Sequence, residues 1–203
     1  ARTDESLPKH KGISTFLVKT HSPGMEVRKI PALGVKPYYP NEISFDNVAV
    51  PEDNLVGGLN NGWRNLVSII SPFRIVIAIA SAGVTQAIID LALDYAKKRQ
   101  QFGQPIGKFQ AIQHKLALMQ VRCNAARALA YQAASLYNKG KKCLKEASIA
   151  KYYATENLVR TVNEGIQIMG GYGYTMEYDM QLFLRDTRFF TIGGGTSEIQ
   201  LNI

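Results

Sequence analysis

The chain has 203 residues, 46% hydrophobic and 20% charged, which suits one domain with a sizeable core or two small ones and excludes a disordered segment. Its net charge of +8 points either to a polyanionic partner or to an acidic segment lying elsewhere in a longer protein. The Lys and Arg residues are scattered and no nucleic-acid motif accompanies them, so no nucleic-acid partner is expected.

Residues 1 to about 56 read as β structure and loops. Residues 13–18 are a β-rich run, and Ser22-Pro23-Gly24 marks a turn. Met25 and Val27 alternate with Glu26 and Arg28, predicting a half-buried strand. Ile43, Phe45, Val48 and Val50 form a second apolar set that ends at Pro51. So few strands cannot bury both faces, and the segment needs partners.

From Asn61 the pattern turns helical. A first helix starts near Asn60-Asn61-Gly62 and is broken or kinked at Pro72. A long buried helix follows over about 74–98, stopped by Gln101-Phe102-Gly103-Gln104-Pro105. A second covers about 109–138, with Ile112, Leu116, Met119 and Cys123 at helical spacing and Gly140 as its C-terminal cap. A third runs over about 145–169 into the Gly170-Gly171 pair, and a short fourth over 179–189. A last helix begins at Thr196, whose hydroxyl suits an N-terminal cap. Three long antiparallel helices with shorter pieces predict a helical bundle. The longest apolar stretch, residues 75–84, falls short of the roughly 18–20 residues that span a bilayer, so no membrane span is expected. The first residues, Ala1-Arg2-Thr3-Asp4-Glu5, carry no apolar signal region, and the chain begins as if cut from a longer one.

Cys123 and Cys143 form no CxxC pair, so neither a metal site nor a disulfide framework is expected and a reducing compartment is. His10, His21 and His114 are isolated and read as surface or core residues. Arg99, in Arg99-Gln100-Gln101-Phe102-Gly103, can pair with phosphate oxygens or simply be a solvated helix end. Gln110 can meet a purine edge or stand idle on the surface. The aromatic group Tyr172, Tyr174, Tyr178, Phe183, Phe189 and Phe190 suits either a core or the flank of a flat ligand.

Taken in order, these pieces resemble the acyl-CoA dehydrogenase family. The residues that carry the resemblance are Arg99-x-x-Phe102-Gly103 followed by Gln110, the block Gln167-Ile168-Met169-Gly170-Gly171, Arg185-Asp186, and Gly195-Thr196-x-x-Ile199-Gln200. Gly12-Ile13-Ser14-x-Phe16-Leu17-Val18 and Phe45-x-x-Val48-x-Val50-Pro51 resemble that family's middle β domain. The resemblance implies a mainly α fold: a partial β-barrel segment over 1–56, then the family's C-terminal helical bundle over 57–203. On this basis the chain is roughly half of such an enzyme.

The resemblance also implies FAD as cofactor, an acyl-CoA thioester as substrate and α,β-dehydrogenation as the reaction. It implies an electron-transferring flavoprotein as partner, a homo- or hetero-tetramer, a place in fatty acid metabolism, and a cytoplasmic location or the mitochondrial matrix of a eukaryote. By the resemblance Arg99, Gln101, Phe102, Gln110, Gln167, Ile168, Met169, Gly170, Gly171, Thr196, Ser197 and Glu198 contact the FAD. Arg74, Gly194 and Gly195 face the substrate, with an N–H near Gly194 or Gly195 on the thioester carbonyl.

The family's reaction needs a carboxylate to take the substrate α-proton. The family places it at one of two loci, occupied here by Gly194 and by Phe73, and neither can accept a proton. Glu177, Asp179 and Glu198 are the local carboxylates that remain. Three alternatives therefore stand: a dehydrogenase whose base comes from elsewhere, a base-lacking subunit of a heteromeric enzyme, and a flavin-binding scaffold.

Overall fold

The computed structural model of the chain describes residues 1–203. Their contacts divide them into two compact units, one of residues 1–32 and 36–70, the other of residues 33–35 and 71–203.

In the first unit, β1 (Thr15–Phe16) pairs antiparallel with β4 (Leu55–Val56), and β2 (Met25–Lys29) with β3 (Asn41–Phe45). The strand expected over 13–18 shrinks to two residues because its flanks use their backbone groups on loops. Ser14 N–H bonds Ala1 O, Ile13 O accepts from Gly62 N–H, and Leu17 N–H bonds Asn54 O. In the other ladder Val27 stands opposite Ile43 and Met25 opposite Phe45. Val27 stays exposed, against the expectation of a half-buried strand, and so do Ile43 and Phe45 on the opposite strand, since a two-stranded ladder alone buries little.

The second unit holds the helical bundle. Its elements are α1 (Gly62–Lys98, whose first turns lie in the first unit), α2 (Gln110–Asn138), α3 (Leu144–Met169), α4 (Gly171–Tyr174), α5 (Met180–Thr187) and α6 (Ser197–Leu201). A hairpin of β5 (Gln100–Gln101) and β6 (Gln104–Pro105) joins α1 to α2. The fold is mainly α, as the sequence predicts.

Pro72 does not break α1, contrary to expectation; the helix runs through it. An interior proline costs about 3 kcal/mol. Burial of Ile75, Ala78 and Ala82 just beyond it opposes that cost. The 37 residues of α1 are also long and apolar enough, by length and composition alone, to cross a membrane, although the apolar run 75–84 by itself is not. In this structure Ala78, Ala82, Ile88, Ala92 and Ala96 of α1 are instead buried in two clusters shared with α2 and α3.

Those clusters differ in kind. One end of the bundle is lined by Ala78, Ala82, Ala126, Ala130, Ala133, Ala147, Ala150 and Ala154, small side chains that let helix axes approach closely. The other end packs Ile88, Met119, Leu158, Val162 and Met180, with Ile112, Leu116 and Cys123 of the predicted α2 stripe against it. Arg74 reaches Ser148, and Gly165 lies against Ile88, so α1 and α3 run parallel. The thiol of Cys123 meets Ala82 O, and Gln120 meets Gln86, so α2 runs antiparallel to α1.

The end of α2 is closed by a left-handed residue. Gly140 has φ +67°, Gly140 N–H bonds Tyr137 O at 2.9 Å, and Lys141 N–H bonds Leu136 O at 3.0 Å. This is the paired bonding of a Schellman cap, as the sequence predicts. Open space surrounds the missing Cβ, so only backbone strain opposes a larger residue. Gly140→Ala is expected to cost about 1–2 kcal/mol, read as a lower midpoint in urea denaturation.

Candidate functional site

Two groups of residues collect the functional side chains the sequence singles out. The first forms where α1 and α3 end. Arg99 N–H continues the helix to Tyr95 O at 2.9 Å, and Ile106 N–H then bonds Arg99 O at 2.9 Å, closing the hairpin onto the helix end. Phe102 and Gly103, the two turn residues, have φ of +53° and +80°. Both central positions of a two-residue hairpin loop of this hand need positive φ. Glycine adopts that freely; phenylalanine does so under strain. The ring of Phe102 is 92% exposed and meets the edge of Phe109 at 6.1 Å.

At the end of α3, Gly170 takes φ +59° and ψ −137°, a conformation that suits glycine, and turns the chain into α4. A Cβ on Gly173 would fall 2.9 Å from Ile166 O and from Met169 Cβ, so the turn lies tight against its own helix. Gly170 and Gly171 have nothing within 4 Å of where a Cβ would stand, and that open space belongs to a cleft.

The cleft measures about 550 Å³ and is lined by Arg99 and Gln101 on one side and by Ile168, Met169, Gly170 and Gly171 on the other. Tyr95, Tyr172 and Thr175 line it too, residues that carry no binding signal in the sequence beyond Tyr172's aromatic character. Arg99 makes no ion pair or side-chain hydrogen bond and lies 5.2 Å from the Tyr172 ring centroid. A guanidinium held over an aromatic face keeps its donors free for a ligand. Asp94, its nearest carboxylate in sequence, is taken by Lys98 at 2.8 Å. Tyr95 packs edge-on to Tyr178 at 6.3 Å, and burial pushes its hydroxyl pKa up, so it stays a donor. Phe102, Gln110 and Gln167 are exposed and do not line the cleft.

The second group lies toward the start of α3. Lys151 is fully buried, and its Nζ donates to Gly195 O at 2.8 Å. Gln200 Nε2 donates to the same oxygen at 2.9 Å. Arg74, 5% exposed, donates through Nη1 to Ser148 Oγ at 3.1 Å, and its Nε has no partner. Burial, and after it the neighbouring Arg74 charge, lowers the pKa of Lys151; burial also lowers that of Arg74. Gly194 and Gly195 have φ of +70° and +95°. Thr196 caps α6 through a 3.4 Å bond from Ile199 N–H, as predicted. Ser197 is buried and donates to Glu156 Oε1 at 2.5 Å. Glu198 is exposed; its own N–H and the Thr196 hydroxyl hold its carboxyl below the usual range, which makes it a weak base.

The two expected base positions face one another. A Cβ on Gly194 would stand 3.1 Å from Phe73 Cε1 and 2.6 Å from Ile77 Cδ1. The wall between them is apolar. Glu177 and Asp179 are exposed at the opposite end, beside α5. At the helical rise of about 1.5 Å per residue, Lys151 and Met169 lie roughly 27 Å apart along α3. Within one chain the two groups are therefore separate, and the arginine loop and first glycine turn converge without the second.

Comparison with known proteins bears on both groups. The sequence profile of the acyl-CoA dehydrogenase C-terminal domain matches residues 60–203. A 3-(aryl)acrylate reductase of Clostridium sporogenes is 42% identical over 201 residues, covering 98% of this chain and 53% of its own. An acyl-CoA dehydrogenase of Bacillus subtilis is 43% identical over 190 residues, 93% of this chain and 50% of its own. The solved butyryl-CoA dehydrogenase of Megasphaera elsdenii superposes with a TM-score of 0.95 at 36% identity, covering all of this chain and 53% of that one. The chain spans about half the length of the curated relatives it matches.

Proposed function

The chain belongs to the acyl-CoA dehydrogenase family, and on that premise we propose that it forms the FAD- and thioester-facing C-terminal half of an oxidoreductase acting on an acyl-CoA. The observation that carries the reading is the cleft that sets Arg99 and Gln101 opposite Ile168, Met169, Gly170 and Gly171.

The residues present fit a dinucleotide. Arg99 offers free donors to phosphate oxygens, and the bare Gly170 and Gly171 let a ligand come against the backbone. Bound FAD supplies the two-electron acceptor of α,β-dehydrogenation. Gln110, Gln167 and Phe102 stand outside the cleft of one chain, and Thr196, Ser197 and Glu198 belong to the distant group. Their roles toward FAD rest on a second copy, in the homo- or hetero-tetramer that the family resemblance implies. Exposed Leu118, Val121 and Tyr131 on α2 support such an assembly. Gly194 and Gly195 present the turn against which the thioester carbonyl is held, with the apolar side chains of Phe73 and Ile77 beside it. Electron-transferring flavoprotein as partner, and a cytoplasmic or mitochondrial-matrix location, follow from the resemblance alone.

A second reading is favoured by the Phe73–Gly194 wall, which offers no carboxylate for the α-proton. In it the chain is a base-lacking subunit of a heteromeric enzyme or a flavin-binding scaffold.

The complete protein is expected to purify yellow, with FAD bound non-covalently. Arg99→Ala is expected to weaken FAD by about 1.5–3 kcal/mol, roughly ten- to hundredfold in Kd, the worth of a hydrogen bond to a charged group. Titration of apoprotein with FAD reads it. A colourless complete protein that takes up no FAD overturns both readings.

A further inference from the structure

Lys151 has no part in the function just proposed, yet it is fully buried on α3, a long helix that touches both groups. A lysine ammonium has three N–H donors, and burial without compensation is costly. Its one hydrogen-bond acceptor is Gly195 O at 2.8 Å. Arg74, the other buried cation beside it, adds repulsion, which Glu156 and Glu198 oppose. A second donor, Gln200 Nε2, reaches Gly195 O at 2.9 Å. Two side chains from different helices thus converge on one main-chain oxygen, in a turn whose glycines at φ +70° and +95° give it little stiffness of its own.

A trans peptide is planar, and its C=O and N–H point in opposite directions. Holding Gly195 O inward therefore turns Thr196 N–H outward, and that N–H has no partner within the chain. The weaker contact of Gln200 Nε2 with Gly194 O at 3.4 Å acts on Gly195 N–H in the same sense. We propose that Lys151 is a positioning residue for the thioester carbonyl. Its ammonium pins Gly195 O, so that the N–H groups of the 194–196 turn face the substrate, and it places a buried positive charge behind them. The inference rests on the thioester reading above. It adds that the turn's polarising power comes from Lys151 rather than from the backbone alone.

The test uses the complete FAD-bound protein with butyryl-CoA and 3-phenylpropanoyl-CoA, each labelled with ¹³C at the thioester carbonyl. Difference infrared spectroscopy reads the carbonyl stretch of the bound thioester, which moves to lower frequency as the oxygen is polarised. In the parent protein a clear downshift is expected. In Lys151→Met most of that downshift is expected to vanish, with thioester affinity changed less than about tenfold, since the CoA moiety supplies most of the binding. Should Lys151→Met not fold, Gln200→Met removes the other donor to Gly195 O and is expected to lose part of the downshift. A downshift that survives intact in the folded variant overturns the role of Lys151 and leaves the thioester reading standing. Binding of neither thioester, or a parent carbonyl at its solution frequency, overturns the thioester reading and this inference together.

Discussion

Phe73→Glu is expected to raise acyl-CoA dehydrogenation by the complete FAD-bound protein about 10²- to 10⁴-fold, the contribution of a well-placed general base. The position suits the change. Phe73 is 54% exposed in this chain, sits within α1 where glutamate is a good helix former, and directly precedes Arg74. It faces the turn at Gly194. Ile77 beside it would desolvate the new carboxyl and raise its pKa, while Arg74 would lower it. Gly194→Glu, the other substitution the family pattern invites, is the poorer test. Its φ of +70° strains any side chain, and its Cβ would fall 2.6 Å from Ile77 Cδ1. Flavin bleaching on mixing with butyryl-, branched-chain and arylpropanoyl-CoA reads the result. A parent protein already as fast as the variant would place the base elsewhere in the complete enzyme. No gain with any of the three thioesters would favour the scaffold.

Leu158→Ala is expected to cost about 2–5 kcal/mol, the range for truncating a buried leucine to alanine. In a domain of this size that lowers Tm by roughly 2–4 °C for each kcal/mol. Leu158 is fully buried at the larger end of the bundle, among Ile88, Met119, Val162 and Met180. The helices there are already tight. A Cβ on Gly165 would fall 2.7 Å from Met180 Sδ and 3.2 Å from Ile88 Cγ2. With α3 held this closely on two sides, collapse into the space left by Leu158 is limited, so the upper half of the range is expected. Calorimetry of the FAD-bound protein measures it; a fall in Tm of less than a degree would show that the core closes over the gap.

What the sequence made legible follows the range of the forces involved. Helix ends written in local chemistry were readable: Gly140 after α2, Gly170 after α3 and Thr196 before α6 each stand at the predicted boundary. So was the stripe of Ile112, Leu116, Met119 and Cys123, because its period is that of the helix. Pro72 misled because a local rule was overruled by burial several residues further on. The β segment misled because its strands are short and its flanking residues bond to loops. Arg99 and Gly170 line one cleft although they are far apart in the chain, and only the family pattern linked them beforehand. Lys151 was missed because a lysine beside tyrosines reads as surface. Its neighbours at helical spacing, Ala147, Ala150 and Ala154, were the available signal, since that stripe of small residues faces inward.

The hairpin between α1 and α2 has a consequence for whatever surface comes to lie on it. Phe102 is held outward by a turn that leaves its backbone little choice, with Phe109 propping the ring from the side. The backbone beneath this side chain is fixed before the ring is covered. Capture of the ring then forfeits little main-chain disorder, so recognition at this tip turns on how well a receiving hollow fits a ring offered from a set position.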